Sequence, residues 1–579
     1  MGRLALSSLL ALSCASCAST PVGPTFNTDW QNDEGASIIA IEQRLRSAPP
    51  PPSFNLAVGL TADALVGLPL EGGQRWSYPK TSDSPPVIAG ELVVFSSNGE
   101  LFALDGKTGK LLWQVGVAGH RLRGAGDDGA ITVASLGPTA EGENLIVTVD
   151  RSGSVLERVT ADKPLGRPAA RGGVAFVPWA GQYVSAIDMK TGAELGRLLT
   201  RELTSHALAV GGELYFGEKG VLRFDDRIRF ATTQQANRAG LPERELPGKP
   251  RWLDPGETLP ELDMGARAKT RIYASPRFSE RTRFASDRFL ATYFKAVMAF
   301  DAGSGELSWV RKVPSDVIGG DAAASGFVVC MLDGKVLRLG AEGGEAGNLD
   351  LGTHLRACVV EASTLTIPKG EPLPALPVQL SESISALESD MATAQLFLLG
   401  ELGKIEEPIV TKSLIDITIS ARMAPNVRNE ARRLLSLRRT GAEYMLAALE
   451  APFDFISATK LPPPVGPLAD ALAAMGERRA APLLAKHLND PATAIEDVVR
   501  AARALSVLAT TEELPSLRTF FALYRATADD PPLIQAVVSV AEALVKIGGN
   551  DGKAIVQRAA KDPMTQPDVA RALGALAPG

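Results

Sequence analysis

A short repeated pattern constrains the fold of this chain more than any other feature of its sequence. The clearest copy is LFALDGKTGKLLW from Leu101 to Trp113, and VSAIDMKTGAELGRL from Val184 and VMAFDAGSGELSWV from Val297 repeat it. Each copy begins with alternating apolar residues and ends with a second apolar run. Between them lies a tight turn that contains Asp, then Thr or Ser, and then Gly. Alternation with a period of two is typical of a half-buried strand, so each copy predicts a β-hairpin.

The residues of this turn have separate physical roles. An aspartate oxygen can accept hydrogen bonds from backbone N–H groups inside the turn, and glycine can adopt the positive φ that the turn requires. A large aromatic residue often follows in the second strand. The predicted turn residues, which we expect to be structural, are Asp105, Gly109, Trp113, Asp188, Gly192, Asp301, Gly305 and Trp309.

The repeat recurs with a steady period. Turn aspartates at positions 105, 150, 188, 225 and 301 lie about 40 residues, or twice that, apart. Two further short strands precede several of the hairpins, and four strands in roughly 40 residues predict one blade of a β-propeller. We expect the propeller within residues 56–372. We expect seven blades, with eight as the alternative, because residues 232–268 could hide a degenerate blade.

Both ends of the propeller segment are expected to share one blade, which would remove an exposed sheet edge. The sequences LRACVVEAS and TLTIP, within residues 355–368, are the predicted inner strands. QRWSYP, at residues 74–79, is the predicted outer strand.

The segment ALDGKTGKLLW, from Ala103 to Trp113, resembles the repeat of PQQ-type propellers, which are similar to WD40 and YVTN repeats. This group includes quinoprotein dehydrogenases and the BamB-like lipoproteins of the outer-membrane barrel-assembly machinery. The resemblance implies the fold but does not select the function, since one propeller fold hosts many roles.

The hydrophobic period changes from 2 to 3.6 beyond a proline-rich linker predicted at residues 373–380, which indicates helices over residues 381–579. A recurring pattern of helix end, turn and helix start resembles HEAT repeats, and this implies an α-solenoid of helix pairs. A plain helical bundle is the alternative. We expect left-handed glycines to end the helices at the turns, namely Gly403, Gly441, Gly476 and Gly548.

Residues 1–17 have the layout of a lipoprotein signal peptide. A positive Arg3 precedes an apolar core too short to span a bilayer. The sequence ending at Cys14 resembles a bacterial lipobox, so lipid is expected on Cys14, with Cys17 as the alternative. An ordinary cleaved signal would also fit. By resemblance to enterobacterial sorting, alanine after the cysteine favours the outer membrane.

Two segments depend on this export prediction. Residues 18–55 are expected to form a tether, with a short helix at 35–46 and a stiff proline run at 49–52. Cys330 and Cys358 would enter an oxidising compartment, where they could form a disulfide or remain two buried thiols.

Composition argues against several functions. A net charge of −6 disfavours nucleic-acid partners, and the four scattered histidines show no metal-ligand spacing. No nucleophile elbow, Walker A or kinase motif occurs. We therefore expect no catalytic residue, cofactor or metal site.

The expected function is that of a periplasm-facing outer-membrane lipoprotein that binds other proteins as a scaffold. Its resemblance to the barrel-assembly propellers implies a role in outer-membrane protein assembly. One alternative is a PQQ-dependent dehydrogenase. By family resemblance that enzyme would need calcium beside its quinone and often two adjacent cysteines, and this chain has no Cys-Cys pair. The other alternative is a carbohydrate- or peptidoglycan-binding propeller that uses the loop carrying Trp252.

The lipobox generates the first prediction. Replacing both Cys14 and Cys17 with serine should release the protein from the membrane fraction, because no sulfur would remain to carry lipid. Detergent phase partitioning checks this, with the Cys17→Ser single variant as the control that keeps the favoured site. A double variant that still partitions into detergent would disprove the anchor.

Overall fold

The architecture comes from a computed structural model in which the chain divides into two compact units, Met1–Pro374 and Ala375–Gly579. The first helix of the second unit begins at Leu376, inside the predicted linker. The structure describes residue 26 and residues 29–181, 183–199, 206–210, 213–217, 270–274, 288–301, 306–323, 325–387, 391–451 and 461–577.

The first unit is built from one helix and a series of short strands. The helix is α1 (Glu34–Ser47). The strands are β1 (Leu56–Leu60), β2 (Leu65–Pro69), β3 (Trp76–Tyr78), β4 (Val87–Ala89), β5 (Leu92–Ser97), β6 (Glu100–Asp105), β7 (Leu111–Gly116), β8 (His120–Asp127), β9 (Ile131–Pro138), β10 (Asn144–Asp150), β11 (Val155–Ala161), β12 (Ala169–Arg171), β13 (Val174–Trp179), β14 (Tyr183–Asp188), β15 (Glu194–Leu199), β16 (His206–Val210), β17 (Glu213–Gly217), β18 (Thr270–Ala274), β19 (Arg288–Tyr293), β20 (Ala296–Asp301), β21 (Leu307–Lys312), β22 (Val317–Ala322), β23 (Gly326–Met331), β24 (Lys335–Gly340), β25 (Glu345–Asp350) and β26 (Ala357–Glu361).

These strands form antiparallel sheets that follow one another along the chain. In the order of their strands, they are S1 (β26-β1-β2-β3), S2 (β4 to β7), S3 (β8 to β11), S4 (β12 to β15), S5 (β16-β17), S6 (β18 to β21) and S7 (β22 to β25). Each sheet other than S5 has four strands in the described part of the chain. This succession of small antiparallel sheets is the construction of a β-propeller.

The first strands of the sheets lie side by side in a circular order. Strand β4 contacts β8, β8 contacts β12, and β12 contacts β16. On the other side, β18 contacts β22, β22 contacts β26, and β26 contacts β4. Buried apolar clusters join neighbouring sheets across these contacts, from S1 to S5 and from S6 through S7 back to S1. The sheets are therefore arranged around a common axis.

Sheet S1 combines strands from both ends of the first unit. Strand β26 pairs with β1 in an antiparallel register that places Val359 opposite Val58. Only this one strand comes from the C-terminal side, and residues 364–368, expected as a second inner strand, form none. Instead, β1 and β2 supply the two middle strands. QRWSYP contains β3, which is the outer strand.

A disulfide bond joins S7 to this shared sheet. Cys330 on β23 is bonded to Cys358 on β26, with 6.3 Å between the two Cα atoms. Both side chains are buried. The bond therefore holds the C-terminal strand of S1 covalently against the preceding sheet.

The second unit is entirely helical in its described residues. Its helices are α2 (Leu376–Ala386), α3 (Ala392–Gly403), α4 (Pro408–Ile419), α5 (Pro425–Ser436), α6 (Ala442–Glu450), α7 (Val465–Met475), α8 (Ala481–Leu488), α9 (Ile495–Leu508), α10 (Leu514–Tyr524), α11 (Pro531–Lys561) and α12 (Pro567–Leu576).

The helices stack in two layers. In one layer α3, α5, α7, α9 and α11 contact each other in sequence, and in the other layer α2, α4, α6, α8 and α10 do so. Close pairs of successive helices form between α2 and α3, α4 and α5, α8 and α9, and α10 and α11. The predicted glycine turns after α3, α5 and α7 therefore connect one pair to the next and do not lie within a pair.

Only part of the glycine prediction matches the backbone. Gly476 has a φ of 69° and ends α7, as a left-handed C-terminal glycine should. Gly441 also has positive φ but immediately precedes α6. Gly403 and Gly548 do not have positive φ, so the prediction is wrong there: Gly403 is the last residue of its helix, and the neighbouring Gly549, at 55°, makes the bend in α11.

Helix α11 is long and apolar enough in composition to cross a membrane, but by that criterion alone. Its backbone is non-helical at Gly549, which divides it into two shorter helices. Val537, Val540 and Leu544 of its first half are fully buried, and the helix contacts α9, α10 and α12. These contacts are those of a core helix in the second unit.

The shared sheet generates the second prediction. Deleting residues 56–80 should prevent stable folding of the piece that ends at residue 374, because β26 would lose its partner and the ring would stay open. Thermal unfolding followed by circular dichroism measures this. A matched deletion of residues 29–48 removes α1 but no strand, and it should preserve the cooperative β-sheet transition. Unchanged melting after the first deletion would show that S1 does not close the ring.

Candidate functional site

The predicted turn aspartates bind their own turns in S2, S3 and S4. Asp105 Oδ1 accepts hydrogen bonds from the Thr108 backbone N–H at 2.7 Å and from its hydroxyl at 2.6 Å. Asp150 and Asp188 accept equivalent backbone bonds in their sheets. The glycines that complete the three turns have positive φ, namely Gly109, Gly153 and Gly192.

The same turns are also where one sheet contacts the next. Trp76 on the outer strand of S1 covers the S2 turn, and its indole N–H donates to the Gly106 carbonyl at 2.9 Å. A Cβ atom at Gly109 would lie only 2.5 Å from that ring. Glycine is therefore required at position 109 for two reasons, namely the positive φ of the turn and the close approach of the Trp76 ring.

This contact recurs around the ring with different residues. Trp113 of S2 lies against Gly153 of S3, and Val159 of S3 lies against Gly192 of S4. Trp309 of S6 lies against Gly343 of S7, and its indole N–H donates to the Ala341 carbonyl at 2.8 Å. Trp113 and Trp309 are thus packing residues between sheets. The Asp301 side chain and Gly305 lie outside the described residues.

Asp188 has a further partner that the repeat did not predict. Its Oδ2 atom forms an ion pair with Arg44 of α1 at 2.6 Å, while Oδ1 serves the turn. Burial alone would raise the pKa of Asp188, but the hydrogen bonds from Arg44 and from the turn outweigh it and lower that pKa. Leu45 of the same helix is 4% exposed and belongs to the apolar cluster of S4.

An aromatic cluster fixes the residues before α1 on S4. Phe26 packs edge-on against Trp179, with 5.7 Å between the ring centroids. The Arg197 guanidinium lies over the Trp179 ring at 4.6 Å and bonds Glu194. Glu194 also accepts a hydrogen bond from the Trp30 indole at 3.1 Å. The tether expected over residues 18–55 therefore contains a docked segment.

The proline run continues this segment across one face of the ring. Ala48 lies against the Gly172 turn of S4, and Pro52 approaches Gly90 of S2 and Gly129 of S3. The chain then enters β1 of S1. Residues 29–55 thus cross from S4 over S3 and S2 to S1, where a stiff extended run suits the path.

A shallow pocket lies under this segment at the mouth of the ring. The first strands of S2, S3 and S4 line it together with residues 51–53, Glu361 and Ser363. Arg167 spans the pocket wall by donating to the Ile88 carbonyl at 2.7 Å. The Arg167 side chain at this mouth therefore binds a backbone group of S2.

Asp127 is the most deeply buried carboxylate at the mouth. It accepts hydrogen bonds from Arg151 at 2.6 Å and Thr132 at 2.9 Å, and its side chain has no solvent exposure. Burial raises its pKa, and the Arg151 cation opposes that rise. These donors belong to S3 and its turns, the same part of the chain as Asp127.

Several predicted sites lie outside the described residues, namely Cys14, Cys17 and Trp252. Within the described ranges, no group of three or more His, Cys, Asp or Glu side chains could hold a metal ion. The repeat pattern did not predict the Asp188–Arg44 pair or the contact of Trp76 with the S2 turn. The acidic turn residue and the tryptophan in QRWSYP were visible signals, but their partners are distant in sequence.

Comparisons with known proteins give a family and several remote structural likenesses. The family described as outer membrane protein assembly factor BamB matches residues 27–126 and 97–346. No curated protein sequence matches the chain.

Among solved structures, BamB from Moraxella catarrhalis is 16% identical, with 54% of this chain and 90% of that chain covered and a TM-score of 0.29. A europium-containing methanol dehydrogenase is 12% identical, with 53% and 80% covered and a TM-score of 0.29. The dihydro-heme d1 dehydrogenase NirN is 15% identical, with 54% and 78% covered and a TM-score of 0.31. Similarity this remote does not distinguish a scaffold from an enzyme.

The family match carries more weight because of its extent. Its two segments together span residues 27–346, which is more than half of the 579 residues. They include α1 and the sheets from S2 to S6. The chain therefore belongs to the family described as outer membrane protein assembly factor BamB.

Proposed function

We propose that this protein is a non-catalytic scaffold of the cell envelope, a periplasm-facing outer-membrane lipoprotein that binds proteins during outer-membrane protein assembly. Membership of the BamB family is the observation that carries this proposal. A lipid on Cys14, or on Cys17, would hold the protein at the membrane.

The use of the repeat residues supports a structural role for the motif. Asp105 and Asp188 bind their own turns, and Trp76 and Trp309 cover the turns of neighbouring sheets. A catalytic site needs one preorganised cluster of groups that a substrate can reach. Here the acidic residues of the motif recur from sheet to sheet, and each binds the backbone of its own turn.

The proposal includes a specific architecture. Sheets S1 to S7 would be the seven blades of one propeller, closed at S1. The two helical layers of residues 375–579 would be a HEAT-type solenoid, because helices of equivalent position stack on each other in sequence. Solenoids offer an extended surface, which suits a protein partner.

The third prediction concerns partners. Affinity purification of the full-length protein from detergent-solubilised envelopes should enrich outer-membrane β-barrel proteins or their assembly factors, identified by mass spectrometry. An unrelated lipoprotein of the same membrane is the control. If the protein instead co-purified with cell-wall material and without membrane proteins, this result would contradict the scaffold function and favour the carbohydrate-binding alternative.

The fourth prediction separates structural aspartates from catalytic ones. Asp105→Ala and Asp188→Ala should each lower the free energy of unfolding by about 1 kcal/mol, the usual effect of a lost hydrogen bond. Asn at position 105 keeps the acceptor of the turn and should have a smaller effect. Asp188→Asn also loses the Arg44 ion pair. Denaturant unfolding measures the differences.

The ion pair also sets a pH dependence. Since the folded-state pKa of Asp188 is lowered, its stabilising contribution is present above the unfolded pKa of about 3.9 and is lost as pH falls through the folded value.

The protein with added PQQ and calcium should reduce no dye with alcohols or sugars. Dye reduction that one of these variants abolishes at full stability would instead indicate an enzyme.

A further inference from the structure

We propose that the outer edge of S4, where α1 is docked, is the side of the propeller nearest the lipid surface. This inference rests on the proposed lipid anchor at Cys14 or Cys17. It adds an orientation, which neither the fold nor the family membership supplies.

The length of chain between anchor and fold limits the possible orientations. Phe26 is 4% exposed and packs on Trp179 of S4. Only residues 15–25 separate Cys14 from it, and a chain of that length spans at most about 40 Å. Had the whole segment to β1 been free, its reach would be about 140 Å by the same measure, enough for any orientation.

Three different interactions hold the segment on S4. Arg44 forms the ion pair with Asp188, Trp30 donates to Glu194, and Leu45 is buried in the apolar cluster of the sheet. These contacts are an ion pair, a hydrogen bond and the burial of an apolar side chain. The position of the segment on S4 therefore does not depend on one weak contact. The contact of Pro52 with S2 and S3 fixes the far end.

The surface presented by α1 is compatible with a nearby lipid headgroup layer. Ile39 is 56% exposed, more than the exposed leucines of β7, Leu111 and Leu112, at 44% and 46%. Arg46 is largely exposed and is paired with Glu42 at 2.9 Å. The outward side of α1 therefore places an exposed apolar side chain beside a neutralised ion pair.

The orientation has a consequence for partners. In a ring of seven sheets, S7 and S1 lie opposite S4. The seam closed by β26 would therefore face away from the membrane, where soluble domains of envelope proteins could reach it.

The test compares three probes at the same topological position in different sheets. Lys190, Lys107 and Gln74 are exposed residues in the turns between the third and fourth strands of S4, S2 and S1. Each is replaced by cysteine in the chain from residue 18 to 579 and labelled with a donor dye. An N-terminal histidine tag attaches the protein to vesicles of phosphatidylethanolamine and phosphatidylglycerol that contain nickel-chelating lipid and an acceptor-labelled lipid.

Energy transfer to the membrane should be highest from Lys190→Cys, intermediate from Lys107→Cys and lowest from Gln74→Cys. The triple change Trp30→Ala, Arg44→Ala and Leu45→Ala, which removes the three interactions that hold α1 on S4, should bring the three efficiencies together. Equal efficiencies in the docked protein, or the highest efficiency from Gln74→Cys, would overturn the inference.

This design separates the inference from the proposed anchor. The tag replaces the lipid, so the order of the three efficiencies does not depend on lipidation in the cell. Retention of the Cys14 and Cys17 double variant in the membrane fraction would refute the anchor, whereas a wrong order on the vesicles would refute the orientation.

Discussion

Pairing between β26 and β1 is the interaction on which the rest of the first unit depends. Every other described sheet draws its strands from one continuous stretch of chain, whereas S1 joins the two ends. Until β26 is in place, β1 is an edge strand with unpaired backbone groups, and S7 has no apolar neighbour on that side. The disulfide between Cys330 and Cys358 strengthens this junction, because it keeps β26 beside S7.

Much of the architecture is readable from local sequence because each sheet repeats one short pattern. Alternating apolar residues, an aspartate and a glycine specify the hairpin of S2 through contacts between residues that are only a few positions apart. Helices in the second unit follow in the same way from their period. The position of the bend in α11 does not follow from local sequence, because Gly548 and Gly549 are adjacent glycines and only Gly549 has positive φ.

Contacts between distant residues could not be derived in this way. Nothing in the residues around Arg44 indicates that Asp188 is its partner, and the proline run at 49–52 reads equally well as a free spacer. The first was decided by packing on S4, where Phe26 and Leu45 bury apolar surface that a free tether would leave in water. The second was decided by the contacts of Pro52 with S2 and S3. The pairing within S1 could not be derived from local sequence either, because β1 pairs with β26, a strand that follows almost the entire propeller in sequence.

The shared sheet has a consequence for biogenesis. If the protein is exported as proposed, its N-terminus enters first, and β1, β2 and β3 would arrive long before β26 and would have one edge open until the remaining sheets follow. Such an edge can pair with other nascent chains. In the proposed compartment, shielding of extended segments, and oxidation of Cys330 and Cys358 only after the last strand has arrived, would therefore favour closure of the ring.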